Sequence, residues 1–355
     1  MQDTSISWSD ISWNPVRGCS RISPGCTNCY AEALAARHSV VSEKRMSPPF
    51  EDFAEFRIVG GRKEAHWTGK VELIESKLLE PLSWRRKALK FRAEHGRKPR
   101  AFISMSDLFH ESLPDEAIDR VFAVAALTPG INYMLLTKRA DRMARWFDAI
   151  TEGGFTRRFD VLMQADQVEP TLMIPWPLPN VALGVSVESQ KYANERIPHL
   201  LRTPAPMKFI SYEPALESVD WEYPESIWPK GPQMCCPGPS MECGCMGLPV
   251  DPPLIHGINM IIVGGESGPG ARPFDIAWAR STVKQCRAAG VAPFVKQMGS
   301  KPERLMSINA ALELHRFAGR NPDKPEPQYF RDRKGEDMSE WPEDLRVREW
   351  PEVWN

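Results

Sequence analysis

The sequence predicts an α/β fold, a TIM-type (β/α) barrel, complete or partial, with a cysteine-rich insertion and a C-terminal cap. Three observations predict it. Eight short β-branched or apolar runs are bounded by turn residues. Segments with helical apolar spacing separate most of them. Six of the runs end in polar or charged residues. The length of 355 residues covers one such barrel, about 250 residues, plus insertions.

In order, the strand candidates are 6–16 (ISWSDISWNPV), 69–74 (GKVELI), 100–109 (RAFISMSDLF), 132–139 (NYMLLTKR), 181–188 (VALGVSVE), 207–214 (MKFISYEP), 259–266 (NMIIVGGE) and 292–299 (APFVKQMG). Helices are expected at 115–127, 139–151, 189–201 and 275–290. Mostly unbroken apolar strands alternating with helices argue for a parallel sheet covered on its faces. All strands of such a sheet end on one side, where barrel active sites lie. Ser106 and Asp107, Lys138 and Arg139, Ser186 and Glu188, Glu213, Glu266, and Lys296 with Gln297 would converge there. A generic barrel also ends its strands in polar residues, which explains one or two of these positions. The barrel is expected over 1–300 with a Cys-rich loop at about 222–256, and 301–355 as a capping extension anchored by Trp341, Trp350 and Trp354.

Composition is ordinary for a globular chain: 42% hydrophobic, 26% charged, and a net charge of −1 from 45 Lys+Arg against 46 Asp+Glu. No run of about 18 apolar residues offers a membrane span, and MQDTSISWSDISWNP lacks the basic start and apolar stretch of a signal peptide. A cytoplasmic protein is expected. Thirty-three prolines point to short, stiff connections.

Seven of the eight cysteines form two tight groups, and in a reducing compartment such groups read as metal ligands or catalytic thiols. Cys19, Cys26 and Cys29 are spaced C-x6-C-x2-C on the loop after the first strand. A structural zinc site takes four ligands. Three thiolates suit a [4Fe–4S] cluster with one iron left open. Zinc with a histidine as fourth ligand, His38 being nearest in sequence, and a disulfide with one odd thiol are the alternatives. Cys235, Cys236, Cys243 and Cys245 lie in the Pro- and Gly-rich insertion, where they could bind structural zinc, hold an auxiliary iron–sulfur cluster, or bind no metal. Cys286 falls in an amphipathic stretch and reads as a small buried apolar residue.

Taken in order, WNPVRGC, PGCTNCYAE, SMSDLFHE, LLTKR, LGVSVE, ISYEP, VGGESGPGARP and FVKQMG resemble the phage Gp37/Gp68 family, three-cysteine proteins with radical S-adenosylmethionine (SAM) character. The resemblance runs from about Trp8 to Gly299. The wider radical SAM superfamily has C-x3-C-x2-C with an aromatic residue before the last cysteine. Here the first gap is six residues, Asn28 precedes the last cysteine and Tyr30 follows it.

The resemblance implies a [4Fe–4S] cluster on Cys19, Cys26 and Cys29 that reduces SAM, giving a 5′-deoxyadenosyl radical that abstracts a substrate hydrogen. It also implies a small-molecule or nucleobase substrate and an electron donor such as flavodoxin. Asp107 and Ser106 are then candidates for the SAM amino group, Glu188 and Ser186 for its ribose, Lys138 and Arg139 for its carboxylate, and Tyr30 for a further contact. Glu213, Glu266, Lys296 and Gln297 would face the substrate. For each, a salt bridge in the barrel mouth is the bland reading.

Modification of a phage-type nucleobase in DNA or of a nucleotide is expected first, and a photoproduct-type repair lyase is related to it. Near-zero net charge argues against broad nucleic-acid coating. The stretch 84–100 carries eight Lys/Arg and one Glu and is either a DNA contact or the solvated face of a helix. Two other classes compete: a non-enzymatic zinc-binding barrel protein, and a hydrolase using the strand-end acids.

Overall fold

The computed structural model describes residues 2–4, 6–39, 50–152, 175–222, 254–303 and 330–354. The main sheet has eight strands. In chain order they are β1 (Gln2–Asp3), β2 (Ile11–Ser12), β7 (Arg100–Phe102), β8 (Asn132–Thr137), β9 (Val181–Ser186), β10 (Met207–Tyr212), β11 (Met260–Gly264) and β13 (Ala292–Gln297). They are ordered β1-β2-β7-β8-β9-β10-β11-β13. β1 runs antiparallel to β2. The other seven strands make a parallel half-barrel sheet, a partial β/α barrel. The chain divides into two compact units.

The first unit holds Met1–Ser186, His199–Phe209 and Glu352–Asn355. Its interior is aromatic: Trp8 meets Phe102 edge-on at 4.4 Å and Trp13 meets Tyr133 at 5.1 Å. Helix α4 (Asp115–Leu127) starts after Pro114 with Asp115 and Glu116 in its first turn, where carboxylates oppose the positive end of the helix dipole. Helix α5 (Ala140–Glu152) buries Trp146, whose indole N–H donates to Asp119 Oδ1 at 3.0 Å. The side-chain amide of Asn180 donates to the carbonyls of Ala125 and Ile131, fixing the turn from α4 into β8.

Two features depart from the sequence reading. The run at 69–74 is not a barrel strand. It supplies β6 (Glu72–Leu73), antiparallel to β3 (Val16–Arg17) in a separate two-stranded ribbon. With Gly69 at φ +92° just before it, this run turns back on the chain leaving β2. β2 pairs directly with β7 instead, which accounts for seven parallel strands rather than eight. Ahead of it stands an unforeseen hairpin, β4 (Ala54–Val59) and β5 (Arg62–Trp67). Gly60 and Gly61 close it at φ +56° and +78°, the backbone a tight two-residue hairpin turn needs. Helix α1 (Tyr30–His38) buries Ala35 and Ala36 against Ala54, Phe56 and Trp67 of this hairpin.

The second unit holds Val187–Pro198 and Ile210–Pro351. β11 and β13 pair in parallel, connected by α7 (Ile276–Ala289). That helix is capped by the Asp275 carboxylate on the Ala277 N–H at 2.9 Å and stopped by left-handed Gly290. Cys286 is fully buried on it, as expected. The tail packs along β13: Val295 N–H donates to Val347 O, Glu349 N–H donates to Pro293 O, and Trp341 is buried. Helix α6 (Gln190–Arg202), of which residues up to Pro198 belong to this unit, matches the expected 189–201 closely. Most of the expected insertion at 222–256, with Cys235, Cys236, Cys243 and Cys245, lies outside the described residues.

Candidate functional site

The cysteine loop leaves the C-terminal end of β2. Its path is set by Gly18, at φ +85°, where a β-carbon would stand 1.8 Å from the Lys70 carbonyl oxygen. Gly18 also bridges to Ser106, whose hydroxyl donates to Gly18 O at 2.6 Å. The chain is thus pinned to the loop after β7 one residue before Cys19. Cys26 ends a short 3-10 turn, Pro24–Cys26, and Cys29 is the residue from which α1 starts.

Beyond Cys19 the loop is held by ion pairs. Arg21 donates to both oxygens of Glu32 on α1 at 2.6–3.1 Å and to Ala65 O of the hairpin. Glu32 is almost wholly buried and also accepts from Trp67 N–H at 2.8 Å. The hairpin and α1 thereby grip the loop from one side.

Arg139, at the end of β8, grips it from the other. Its side chain is 2% exposed. Nε donates to Glu111 at 2.7 Å, Nη1 to Asp107 Oδ2 at 3.1 Å, and Nη2 to Ser20 Oγ at 2.8 Å and Ser20 O at 3.3 Å. Nη1 also lies 3.9 Å from Cys19 Sγ. Burial opposes the Arg139 charge, but Asp107, the Cys19 sulfur and Glu111 outweigh it and hold the guanidinium more firmly protonated.

Asp107 is occupied within the fold. It accepts from Thr137 Oγ1, Phe109 N–H, Lys138 N–H and Arg139, all at 2.7–3.1 Å. His110 completes the network. Its Nδ1 accepts from Ser112 N–H at 3.1 Å, so the neutral ring carries its proton on Nε2, which faces Ser20 Oγ at 2.8 Å. Burial and then Arg139 lower its basicity, which keeps it neutral.

The three thiols are free and half-buried. Burial pushes the Cys19 thiol up to about 12, with Asp107 adding to the rise and Arg139 opposing it. Cys29 is raised by burial and drawn back by the amides of Glu32 and Ala31. Among the described residues no three Cys, His, Asp or Glu side chains converge as a metal-ligand group.

By donor chemistry the set still fits a thiophilic iron cluster. Three reduced sulfurs share one loop, with a guanidinium at one and a helix N-terminus at another to offset thiolate charge. Metal binding would deprotonate them. His38 does not fit as a fourth ligand. It lies at the far end of α1, about 13 Å along the helix from Cys29.

The other expected residues divide between the units. In the first, Tyr30 is 56% exposed beside Cys29, its hydroxyl donating to Ser104 O at 2.7 Å. Lys138 Nζ reaches Ser23 Oγ at 3.4 Å, and that hydroxyl lies 3.7 Å from Cys26 Sγ. Ser186 is buried at the end of β9. In the second unit Glu188 is fully buried and paired with Arg196 at 2.8 Å. Glu213 pairs with Lys296 at 2.9 Å and accepts from Ser211 at 3.2 Å. Glu266 is clamped by Arg272 at 2.7–3.0 Å, and Gln297 donates to Gly265 O at 2.8 Å. Spacing alone does not mark Ser20, Arg21, Glu32, His110 and Glu111, although they sit inside the motifs RGCSR, CYAE and DLFHE.

Residues 3–325 match the family described as "Protein of unknown function (DUF5131)". The chain belongs to that family. No curated protein and no solved structure matches this DUF5131 chain. No helix among its described residues is long and apolar enough to cross a membrane.

Proposed function

We propose that this DUF5131 protein is a radical SAM enzyme, as its resemblance to the phage Gp37/Gp68 proteins implies, working in the cytoplasm on a nucleobase. The observation that carries the reading is the cysteine loop. Three free thiols in C-x6-C-x2-C leave the first parallel strand of a partial β/α barrel and are locked in place from both sides. A [4Fe–4S] cluster bound there would reduce SAM and so supply a 5′-deoxyadenosyl radical to the substrate.

The chain's own residues have distinct tasks in this reading. Cys19, Cys26 and Cys29 hold the cluster. Arg139, anchored on Asp107 and Glu111, fixes the Cys19 arm and places positive charge at its sulfur. Ser20 and His110 brace the same arm. Asp107 and Arg139 therefore act by position. Lys138, at the Cys26 side of the loop, is assigned to a carboxylate, and the exposed ring of Tyr30 to an adenine face. Ser186, at the end of β9 in the same unit, is assigned to the ribose. An electron donor of the flavodoxin kind is required, and the second cysteine group would hold zinc or an auxiliary cluster.

The test is anaerobic reconstitution with iron and sulfide, followed by measurement of 5′-deoxyadenosine from SAM. Formation of 5′-deoxyadenosine that is lost in Cys19→Ala supports the reading. Bound zinc without iron indicates the non-enzymatic zinc protein, and hydrolytic activity that survives Cys19→Ala indicates the hydrolase.

A further inference from the structure

We infer that helix α3 (Arg85–His95) is a docking surface for the phosphate backbone of DNA. The inference rests on the proposed function for its substrate class and makes that substrate a polymer rather than a free nucleotide. Arg85, Arg86, Lys87, Lys90 and Arg92 are all exposed on this helix, while Ala88 faces inward. Among the described residues, only Lys90 of the five has an acidic partner, Glu94 at 3.7 Å. Two further cations of the stretch are used inside the fold. Arg97 is paired with Asp10 at 2.7 Å and lies over the Phe91 ring, and Arg100 is buried in β7.

Three observations separate this surface from an ordinary solvated helix. First, the charge is segregated. Residues 84–100 carry eight Lys/Arg and one Glu, leaving 37 basic against 45 acidic residues on the rest of the chain. A near-neutral protein thus concentrates positive potential in one place. Second, Arg85, Arg86 and Lys87 fill the first turn, which has no acid, so they lie at the positive end of the helix dipole. That placement works against the helix and is offset when an anion binds there.

Third, the direction of α3 points its basic end to the candidate site. Eight to eleven residues before the helix, Trp13 Nε1 donates to Lys77 O and Ile74 N–H donates to Pro15 O, at the end of β2 from which the cysteine loop departs. Just downstream, Arg97 holds Asp10 at the opposite end of that strand. The chain therefore approaches α3 from the cysteine-loop end of β2 and leaves it at the opposite end. A membrane surface is disfavoured, because the solvent face of α3 offers only Leu89 as a large apolar side chain.

The test is fluorescence anisotropy of a labelled 20-base-pair DNA duplex with the full chain and with the triple variant Arg85→Gln/Arg86→Gln/Lys87→Gln, across a salt series. The expected result is binding weakened at least 10-fold and a log–log salt slope shallower by about 3, with unchanged circular dichroism. Arg145→Gln, an exposed cation on α5, serves as the control and should leave binding unchanged. Three results would overturn the inference: no DNA binding by the parent chain at low salt, equal affinity and slope in the triple variant, or binding only to phosphatidylserine vesicles. Because the readout is binding, loss of SAM cleavage with DNA binding intact would count against the radical reading and not against this surface.

Discussion

The strand-end charges of the two units contrast sharply in what they hold. In the first unit Arg139, braced by Asp107 and Glu111, reaches from the end of β8 to a loop bearing three thiols, and its other side-chain contacts among the described residues are to Ser20 and Cys19 of that loop. In the second unit Glu188, Glu213 and Glu266 each meet a cation of their own surroundings: Arg196, Lys296 and Arg272. Residues of the same type at equivalent strand ends thus serve a loop in one unit and close on neighbours in the other. Position at a strand end does not by itself distinguish an acid that builds a site from one that neutralises a buried cation.

The contrast can be broken first at the thiols. With Cys19 pushed up to about 12 by burial and Cys286 likewise, both are protonated at pH 9 in the metal-free chain. Iodoacetamide should label them roughly 500-fold more slowly than in the urea-unfolded chain, read by peptide mass mapping. The folded value lies above the ordinary thiol value of 9.0, so this contribution to stability is complete below pH 9 and is lost as pH rises through 12. Rapid labelling of Cys19 alone would mean that Arg139 outweighs burial there.

Replacing a loop thiol is next. Cys29→Ser should lower bound iron to background and cut SAM cleavage more than 100-fold, while the melting temperature of the metal-free chain moves little. Arg139→Gln should cost about 3 kcal/mol, because Asp107 is left buried without its cation. It should also lower iron retention. Glu188→Gln leaves Arg196 equally stranded and should cost a similar amount, but with iron content unchanged. If both variants lose iron alike, the two regions do not differ in the way described.

Smaller effects remain. Lys296→Met, at a partly exposed pair, should cost about 1 kcal/mol in urea unfolding. Tyr30→Phe removes one hydrogen bond at an exposed side chain and should cost at most about 1 kcal/mol. A drop in SAM affinity for Tyr30→Ala without one for Tyr30→Phe would place the ring, not the hydroxyl, on the adenine.

Much of the scaffold is legible in the sequence because burial imposes a pattern. Six of the expected strands, from RAFISM and NYMLLT to APFVKQ, lie in the main sheet where expected, as does part of the first. These are near-continuous apolar runs bounded by turns, the signature of strands buried on both faces. GKVELI, with Val71, Leu73 and Ile74, also reads as a strand, yet it pairs with Val16–Arg17, because local composition does not specify a partner. The hairpin at 54–67 is not legible as core strands because it is charged and largely exposed, although VGGR marks its turn.

At the site, the cysteines and strand-end charges are visible from spacing. The bracing residues Ser20, Glu32 and His110 are not, because their roles come from contacts across 11 to 119 positions of sequence. Arg139 is legible as a strand-end charge but not as the hub of that network. Cys235, Cys236, Cys243 and Cys245 fall outside the described residues and keep the readings their spacing allows.

The most direct measurement is the yield of 5′-deoxyadenosine from SAM by the anaerobically reconstituted, dithionite-reduced full chain, supplied with duplex DNA as substrate. The radical SAM reading requires about four irons at the Cys19–Cys26–Cys29 site and 5′-deoxyadenosine formation that disappears in Cys29→Ser. A chain carrying the full cluster that leaves SAM intact with DNA present would contradict it.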